Sequence, residues 1–588
     1  MLAPNRRSLY VESLLPPLGF ELRDAIATSY SVSLDSLLGV PVHLALAERS
    51  IPKELDAAAL AILAALRRLA GRITVFAQSG LVAPPAQPHV LYSLLEPILV
   101  EVRRAGGAFH AKIWVLRFDA PDGESRIRLI VPTRNLTNDR CWDASLVLEG
   151  TVSGGPKAVN APLAKLVAAL PTFALKAPSE TALARVASMV EDLRRTEWEA
   201  PPGWDIVGFH VHGLGRSAFP IEPSDELLVI SPFVSAKALD ALAGSTKNAR
   251  ALVTRPEELA KLPAGKREAF GSLLVLAENA GADPDGEDEL ESRLRGLHAK
   301  VYVATTRSTT DMWIGSANAT SPGLVDGRNV EILVQLRTKG RGIRPIDDFL
   351  GDEGMGPLLE PFDPATEAPI ESPSKEIIEA AQEALSTANL HLRAHHAEEL
   401  WHLALETDEP LALSHEVRAT VWPISMAHTS AVDVAPLREG VAVALPAGDL
   451  ASLTGLVAFE VRHGDLAVRF VRNLPVEDMP AARDAELLRS VIDSRDRFLA
   501  LMLALFGDGG LVLRGNGGTA GIQFGGASSS SADGAGLLEH LVRACASDGS
   551  RLREAVSLVE SLRGSAKGAA LVPEGLPELL ALFEEVSR

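Results

Sequence analysis

Two short stretches hold residues whose types and spacing suit chemistry. Residues 108–116 read AFHAKIWVL and residues 296–304 read GLHAKVYVA. In an extended strand, residues i and i+2 project from the same face. His110 and Lys112 therefore point together, and so do His298 and Lys300. Two such pairs meeting in one cleft are equipment for phosphoryl transfer without a metal. One imidazole attacks phosphorus and forms a phosphohistidine. The other protonates the leaving oxygen and later activates water, help worth about 10²–10⁴-fold in rate. The lysines neutralise the non-bridging oxygens, where charge accumulates in the transition state.

The surroundings of the two stretches repeat in order. Each is followed by a strand ending in an Asn turn, TRNLT and SANAT, and then by a strand bearing a glutamate. Asn135 and Asn318 can add amide donors to the same oxygens. Glu149 and Glu331 are expected behind the imidazoles, where a carboxylate fixes the tautomer. Ser316, Arg134 and Trp142 are the candidate substrate contacts. Trp142 can stack on a base, whereas Trp313 lies in an apolar strand and reads as core. Local positive charge is expected from Arg117, Arg126, Arg128, Arg134 and Arg140 in the first copy. Arg293, Arg295, Arg307 and Arg328 flank the second.

The elements that must position these residues alternate between strand and helix, the grammar of an α/β layer fold. Strands are expected at Tyr30–Leu34, Ile73–Ala77, Lys112–Phe118, Ile127–Pro132 and Ser145–Glu149, with helices over Lys53–Arg68 and Val90–Arg104. Later strands are expected at Leu227–Ile230, Ala251–Thr254, Lys300–Ala304, Met312–Gly315 and Val330–Leu336, with helices over Ala236–Ala243 and Pro256–Leu262. Two copies of one α/β unit, packed about a pseudo-twofold axis, are the simplest account. The copies are placed at residues 1–205 and 206–345, a Pro/Gly/acid-rich linker at 346–375, and an α+β accessory region at 376–588. In that last region a broken helix is expected over Ser374–Glu406, strands at Val457–Arg462 and Leu466–Phe470, and two or three helices over Leu537–Arg588. A Gly/Ser-rich loop is expected at 515–536.

The duplicated His-x-Lys followed by Asn resembles the phospholipase D superfamily. The likeness runs over about residues 20–345 and is most specific in the second copy, LHAKVYVA…WIGSANAT…NVEILV. It implies a covalent phosphohistidine, no metal or cofactor, and phosphodiester substrates in lipids, DNA or RNA. Lipid-cleaving members often carry Asp five residues after the Lys; here Arg117 and Thr305 stand there. The first Asn is preceded by Pro132-Thr133-Arg134 rather than Gly-Ser. A missing Asp, and the run TRNLTNDRCWD, are similar to the tyrosyl-DNA phosphodiesterase branch and its nuclease-like relatives. The resemblance thus implies a nuclease, for DNA more than RNA, with His110 as nucleophile and His298 as general acid and base. It also implies antiviral genome-defence settings, helicase-like partners and a homo-oligomer or larger complex. Two alternatives stand beside it. One is a phospholipase or phosphatidyl transferase; the other is a scaffold that binds phosphate without turning it over.

Composition sets the outer bounds. The 588 residues are 47% hydrophobic and 23% charged, an ordinary globular balance, and too long for a single core. Cys141 and Cys545 are the two cysteines, which excludes a disulfide scaffold and suits a reducing compartment. No signal-peptide pattern or spanning apolar run is present, so a cytoplasmic location is expected. The formal net charge is −19, from 57 Lys and Arg against 76 Asp and Glu. That excess argues against a chain coated for nucleic acid and confines any such contact to local basic residues. Asp283–Glu291 (DPDGEDELE) lacks EF-hand spacing and reads as a solvated acidic loop beside the second motif. His391, His395, His396, Glu399 and His402 are expected along one helix, as a polar face.

Overall fold

The computed structural model describes residues 12–46, 63, 65–67, 69–139, 141–215, 219–277, 280, 296–339, 345–369, 372–506, 511–513, 522–524, 549–563 and 566–587. The chain forms two compact units. One comprises residues 1–32, 74–78 and 100–372, and the other residues 33–73, 79–99 and 373–588. Residues 33–73 and 79–99, which sequence order places in the first copy, thus group with the C-terminal part.

The first unit is α/β and holds both motifs. Its first sheet is built from β1 (Glu21–Ser29), β2 (Ile73–Gln78), β3 (Leu99–Val102), β4 (Ile113–Asp119), β5 (Ser125–Pro132), β6 (Ser145–Val152) and β7 (Thr196–Trp198). Their spatial order is β3-β2-β1-β4-β5-β6-β7. The second sheet uses β8 (Asp205–His212), β9 (Ser224–Ile230), β10 (Thr246–Val253), β11 (Leu273–Leu276), β12 (Val301–Thr305), β13 (Thr309–Gly315), β14 (Glu331–Lys339) and β15 (Leu359–Pro361). Its order is β15-β11-β10-β9-β12-β13-β14-β8. Six strands match place for place, β3-β2-β1-β4-β5-β6 against β11-β10-β9-β12-β13-β14, while the edge differs: β7 follows β6 in the chain and β8 precedes β9. In both sheets the strand entered from His-x-Lys pairs antiparallel with its neighbours on either side.

Side-chain alternation explains how the sheets are used. Val301 and Val303 face a core shared with Ile113 and Val115 of the first sheet. Tyr302 and Ala304, one residue out of phase, pack with Leu239 and Leu242 of helix α1 (Ala236–Gly244) on the opposite face. That is the period-2 pattern of a strand buried on both sides. The alanines inside both motifs, Ala111 and Ala299, are fully buried in the shared core.

Several sequence expectations need correction. Of the strand expected at Tyr30–Leu34 only Val32–Ser33 is strand; the long strand lies earlier, at β1, and a helix begins at Leu34. Val90–Arg104 is not one helix but a 3-10 segment, Val90–Leu95, followed by β3. Pro97 removes an amide that a helix would need, and Ile98, Val100 and Val102 then alternate with strand period. The helix expected over Lys53–Arg68 falls largely outside the described residues.

The second unit contains a four-stranded and a six-stranded sheet beside helices. Helix α2 (Pro373–Thr387) buries Ile378, Ala381 and Leu385 against Phe459 and Phe470. It stops at Thr387, and the histidine cluster lies on a hairpin of β16 (Leu390–Ala397) and β17 (Leu400–Thr407). His395 faces His402 directly across the ladder, their rings stacked with centroids 5.2 Å apart. Within 515–536, residues Ile522–Phe524 pair with Leu511–Leu513; the rest of that stretch lies outside the described residues. The chain ends in the helical segments Gly549–Arg563, Ala566–Ala569 and Leu576–Ser587. No helix among the described residues is long and apolar enough to cross a membrane.

Candidate active site

Each His-x-Lys segment is laid against the opposite repeat. Phe109 makes a parallel bridge with Val330, and His110 N donates to Val330 O at 2.9 Å. Leu297 makes the corresponding bridge with Trp142, and His298 N donates to Trp142 O at 2.8 Å. This exchange joins the two half-sites through backbone bonds. It needs a glycine at 107, where a Cβ would lie 2.3 Å from Arg328 O; within the second repeat Gly315 is as confined, since its Cβ would lie 2.1 Å from Ile332 O. No other residue allows backbones so close.

In the first half-site His110 is buried, and its Nδ1 lies 2.9 Å from Glu331 Oε2 of the other repeat. A carboxylate accepts, so Nδ1 carries the proton and Nε2 keeps its lone pair. Glu331 is fully buried and is itself positioned by Ser316 Oγ, which donates to Oε2 at 2.5 Å, and by Asn329 Nδ2 at 3.3 Å. Burial works to raise the Glu331 pKa, but His110 and Lys112 outweigh it and hold the carboxylate ionised. Burial also dominates His110, lowering its pKa to about 4 despite the attraction of Glu331. Lys112 Nζ donates to His110 O at 3.0 Å and is pushed down to about 7 by burial, with Glu331 opposing.

The second half-site is built differently. His298 Nδ1 lies 2.9 Å from Thr133 O and 3.1 Å from Lys300 Nζ. A carbonyl only accepts, so Nδ1–H donates to Thr133 and the lysine contact is not a hydrogen bond to that nitrogen. Nε2 is again the bare atom. Lys300 is fully buried and donates to His298 O at 2.7 Å and Thr133 O at 3.1 Å. Burial, then the charges of Lys300 and Lys112, depress the His298 pKa to about 2. Burial and Lys112 hold Lys300 well below the ordinary lysine range. Asn135 and Asn318 each bury a side-chain oxygen that has no hydrogen-bond partner. Turning either amide over presents an N–H at the same place, an arrangement suited to an anion.

Backbone bonds show which residues correspond. Thr133 N donates to Ala144 O and receives Ala144 N on Oγ1; Ser316 N donates to Ile332 O and receives Ile332 N on Oγ. Thr133 therefore matches Ser316, and Asp143 matches Glu331. Glu149 does not stand behind an imidazole. It lies opposite Arg128 in the ladder of β5 and β6 and pairs with that guanidinium at 2.5 Å. Asp143, which the sequence reading passed over, fills the place instead. Its nearest ion-pair partner is Arg134, at 3.6 Å. Burial raises its pKa, with Arg134 and Lys300 opposing.

The residues expected to contact substrate have the following surroundings. Ser316 is fully buried against Glu331. Arg134 is spent on its own loop, donating to Thr137 O at 2.7 Å and Asp139 O at 2.8 Å. Trp142 packs partly buried against the shared core, and Trp313 is fully buried. Arg117, Arg126 and Arg128 are each paired with a carboxylate, and Arg328 lies 3.7 Å from Asp326. Arg140, Arg293, Arg295 and the loop Asp283–Glu291 lie outside the described residues. Tyr30 was missed: its ring meets His110 edge-on at 4.8 Å and lies 5.6 Å from Lys112 Nζ. Its position after β1, far from either motif in sequence, carried no signal.

No family model and no curated protein matches the chain. Among solved structures it is similar to two mutants of yeast tyrosyl-DNA phosphodiesterase 1. The first shows 11% identity over 57% of this chain and 86% of that one, with a TM-score of 0.35. The second shows 11% identity over 57% and 85%, with a TM-score of 0.33. Similarity at this level carries no inference about activity.

Proposed function

We propose that the first unit is a phosphodiesterase of phospholipase D type that cleaves nucleic acid, DNA in the first instance, through a phosphohistidine. The observation that carries this reading is the buried His110–Glu331 pair, which leaves Nε2 bare beside two lysines and a second imidazole. His110 Nε2 attacks phosphorus as the bond to the leaving oxygen breaks. His298 Nε2–H gives that oxygen its proton. Water then loses a proton to His298 Nε2 and attacks phosphorus, the P–N bond breaks, and both histidines return to their starting states. Glu331 stabilises the positive charge that grows on His110. His298 has no such partner, and burial together with the lysines keeps it neutral. A phosphodiester anion between the lysines offsets their charge and raises the pKa of His298 toward a working acid.

The test is direct. Labelled single- and double-stranded DNA and RNA oligonucleotides, and separately phosphatidylcholine, are incubated with the chain in EDTA. Cleavage of an oligonucleotide that survives EDTA, with an acid-labile phosphoenzyme lost in His110→Ala, is the expected result. Lipid turnover without nucleic-acid cleavage, or cleavage that EDTA abolishes, overturns the reading.

A further inference from the structure

Among the exposed large apolar residues described in the first unit, Phe233 is the one aromatic ring, and it is 39% exposed. It follows β9 in a loop that is tightly fixed. Ser231 Oγ donates to Phe233 O at 2.7 Å and accepts from Ala319 N at 2.9 Å. Val234 bridges Ala319, and Ser235 N donates to Ala319 O at 3.0 Å. The ring is thus held on the same backbone as the Asn318 turn.

Its other neighbour is Arg255. That guanidinium sits over the ring, 4.7 Å from the centroid. Nε and Nη2 both donate to Leu297 O, at 3.2 and 3.1 Å, one residue before His298. Arg255 has no carboxylate partner among the described residues. Its charge reaches Lys300 and Cys141. A planar cation and an aromatic ring are therefore stacked, anchored on the two segments that carry Asn318 and His298, and left partly open. A buried structural Phe would not retain this exposure, and a solvated Arg would not be fixed at two nitrogens.

We propose that Phe233 and Arg255 form a stacking subsite for a nucleobase next to the phosphate bound between the histidines. The proposal rests on the nucleic-acid reading above and names what that substrate contributes beyond its phosphate. Aromatic and guanidinium faces stack with any base, so the subsite favours unpaired, base-bearing strands without reading sequence.

Binding tests it without relying on turnover. The probes are two fluorescein-labelled single-stranded DNA oligonucleotides of equal length, one with all bases and one with abasic sites flanking the central phosphate. Anisotropy is read for the full chain, Phe233→Leu and Arg255→Lys, with thermal unfolding to confirm that each variant folds. The full chain is expected to prefer the base-bearing strand. Phe233→Leu should weaken that strand about tenfold while leaving the abasic strand unchanged. Arg255→Lys should do the same to a smaller degree. Equal losses on both strands, no loss, or a full chain that binds neither strand overturns the subsite. An oligonucleotide bound with the expected discrimination but never cut overturns the phosphodiesterase reading and leaves the subsite standing.

Discussion

His110 and His298 occupy matching places in two sheets that share the order of six strands, yet their rings are held by different chemistry. His110 donates to the buried carboxylate of Glu331, whereas His298 donates to the neutral carbonyl of Thr133. A ring backed by an anion tolerates the positive charge of a phosphohistidine. A ring backed by a carbonyl and crowded by Lys300 sheds its proton readily. The two frames are alike, and in the proposed reaction the residues set into them divide the labour between nucleophile and acid.

The largest expected effects test that division. His110→Ala should lower cleavage of an oligonucleotide at least on the order of 10⁴-fold. His298→Ala should cost about 10²–10⁴-fold. A p-nitrophenyl phosphodiester, whose leaving group needs no proton, separates the two roles. With it, phosphoenzyme formation should recover in His298→Ala and stay absent in His110→Ala. Recovery in the opposite variant would exchange the assignments.

Glu331→Gln comes next. It keeps the shape and a hydrogen bond but removes the charge that supports His110. A buried, charge-assisted bond of this kind is worth about 1.5–3 kcal/mol, so kcat should fall roughly 10- to 100-fold with KM little changed. A change confined to KM would mean that Glu331 positions substrate instead of the ring.

Much of this unit was legible in the sequence. The two His-x-Lys stretches and the alternating apolar runs that follow them reappear as strands entering one core. The errors have physical causes. Glu149 was matched to Glu331 by residue type, but correspondence is set by the backbone bonds of Thr133 and Ser316. The second copy inserts the turn Ser321–Val325 between its Asn and its acid, so counting along the chain fails. The His395–Glu399 spacing imitated a helix face. The structure makes a hairpin there because Glu398 and Glu399 adopt φ of 52° and 64°, which glutamate rarely does and a Gly- or Asn-containing turn would have announced. Arg255 and Phe233 lay in no motif, and only packing brought them to His298.

Acidity should separate the half-sites further. His110 and His298 have folded pKa values near 4 and 2, below the 6.5 of a free histidine. Between those values the unfolded chain binds more protons than the folded one, so stability is retained above pH 6.5 and lost as pH falls below it. The unfolding temperature of the first unit should drop as pH falls from 6.5 to 4. His110→Gln should flatten that part of the curve, and His298→Gln should flatten it further toward lower pH. Lys112 acts at the other end. With its pKa near 7, it is charged below and neutral above. Phosphodiester affinity should therefore weaken above pH 7, by up to about tenfold per unit. A flat affinity from pH 6 to 9 would show that Lys112 does not hold the phosphate.

The smallest expected effect is the most discriminating for the comparison. Asp143 stands where Glu331 stands, but no hydrogen bond joins it to His298, whose Nδ1 is taken by Thr133 O. Its nearest basic partner, Arg134, is 3.6 Å away and partly exposed, an ion pair worth about 0–1 kcal/mol. Asp143→Asn should accordingly change kcat by less than about fivefold, against the 10- to 100-fold expected of Glu331→Gln. If the two variants prove equal, the halves work alike in the occupied site. His298 must then leave Thr133 and turn to Asp143 when substrate binds, and the asymmetry belongs to the empty site alone. If Asp143→Asn is nearly silent, the carboxylate that duplication placed there has become part of the Arg134 loop. The two histidines are then distinct in every step of the reaction.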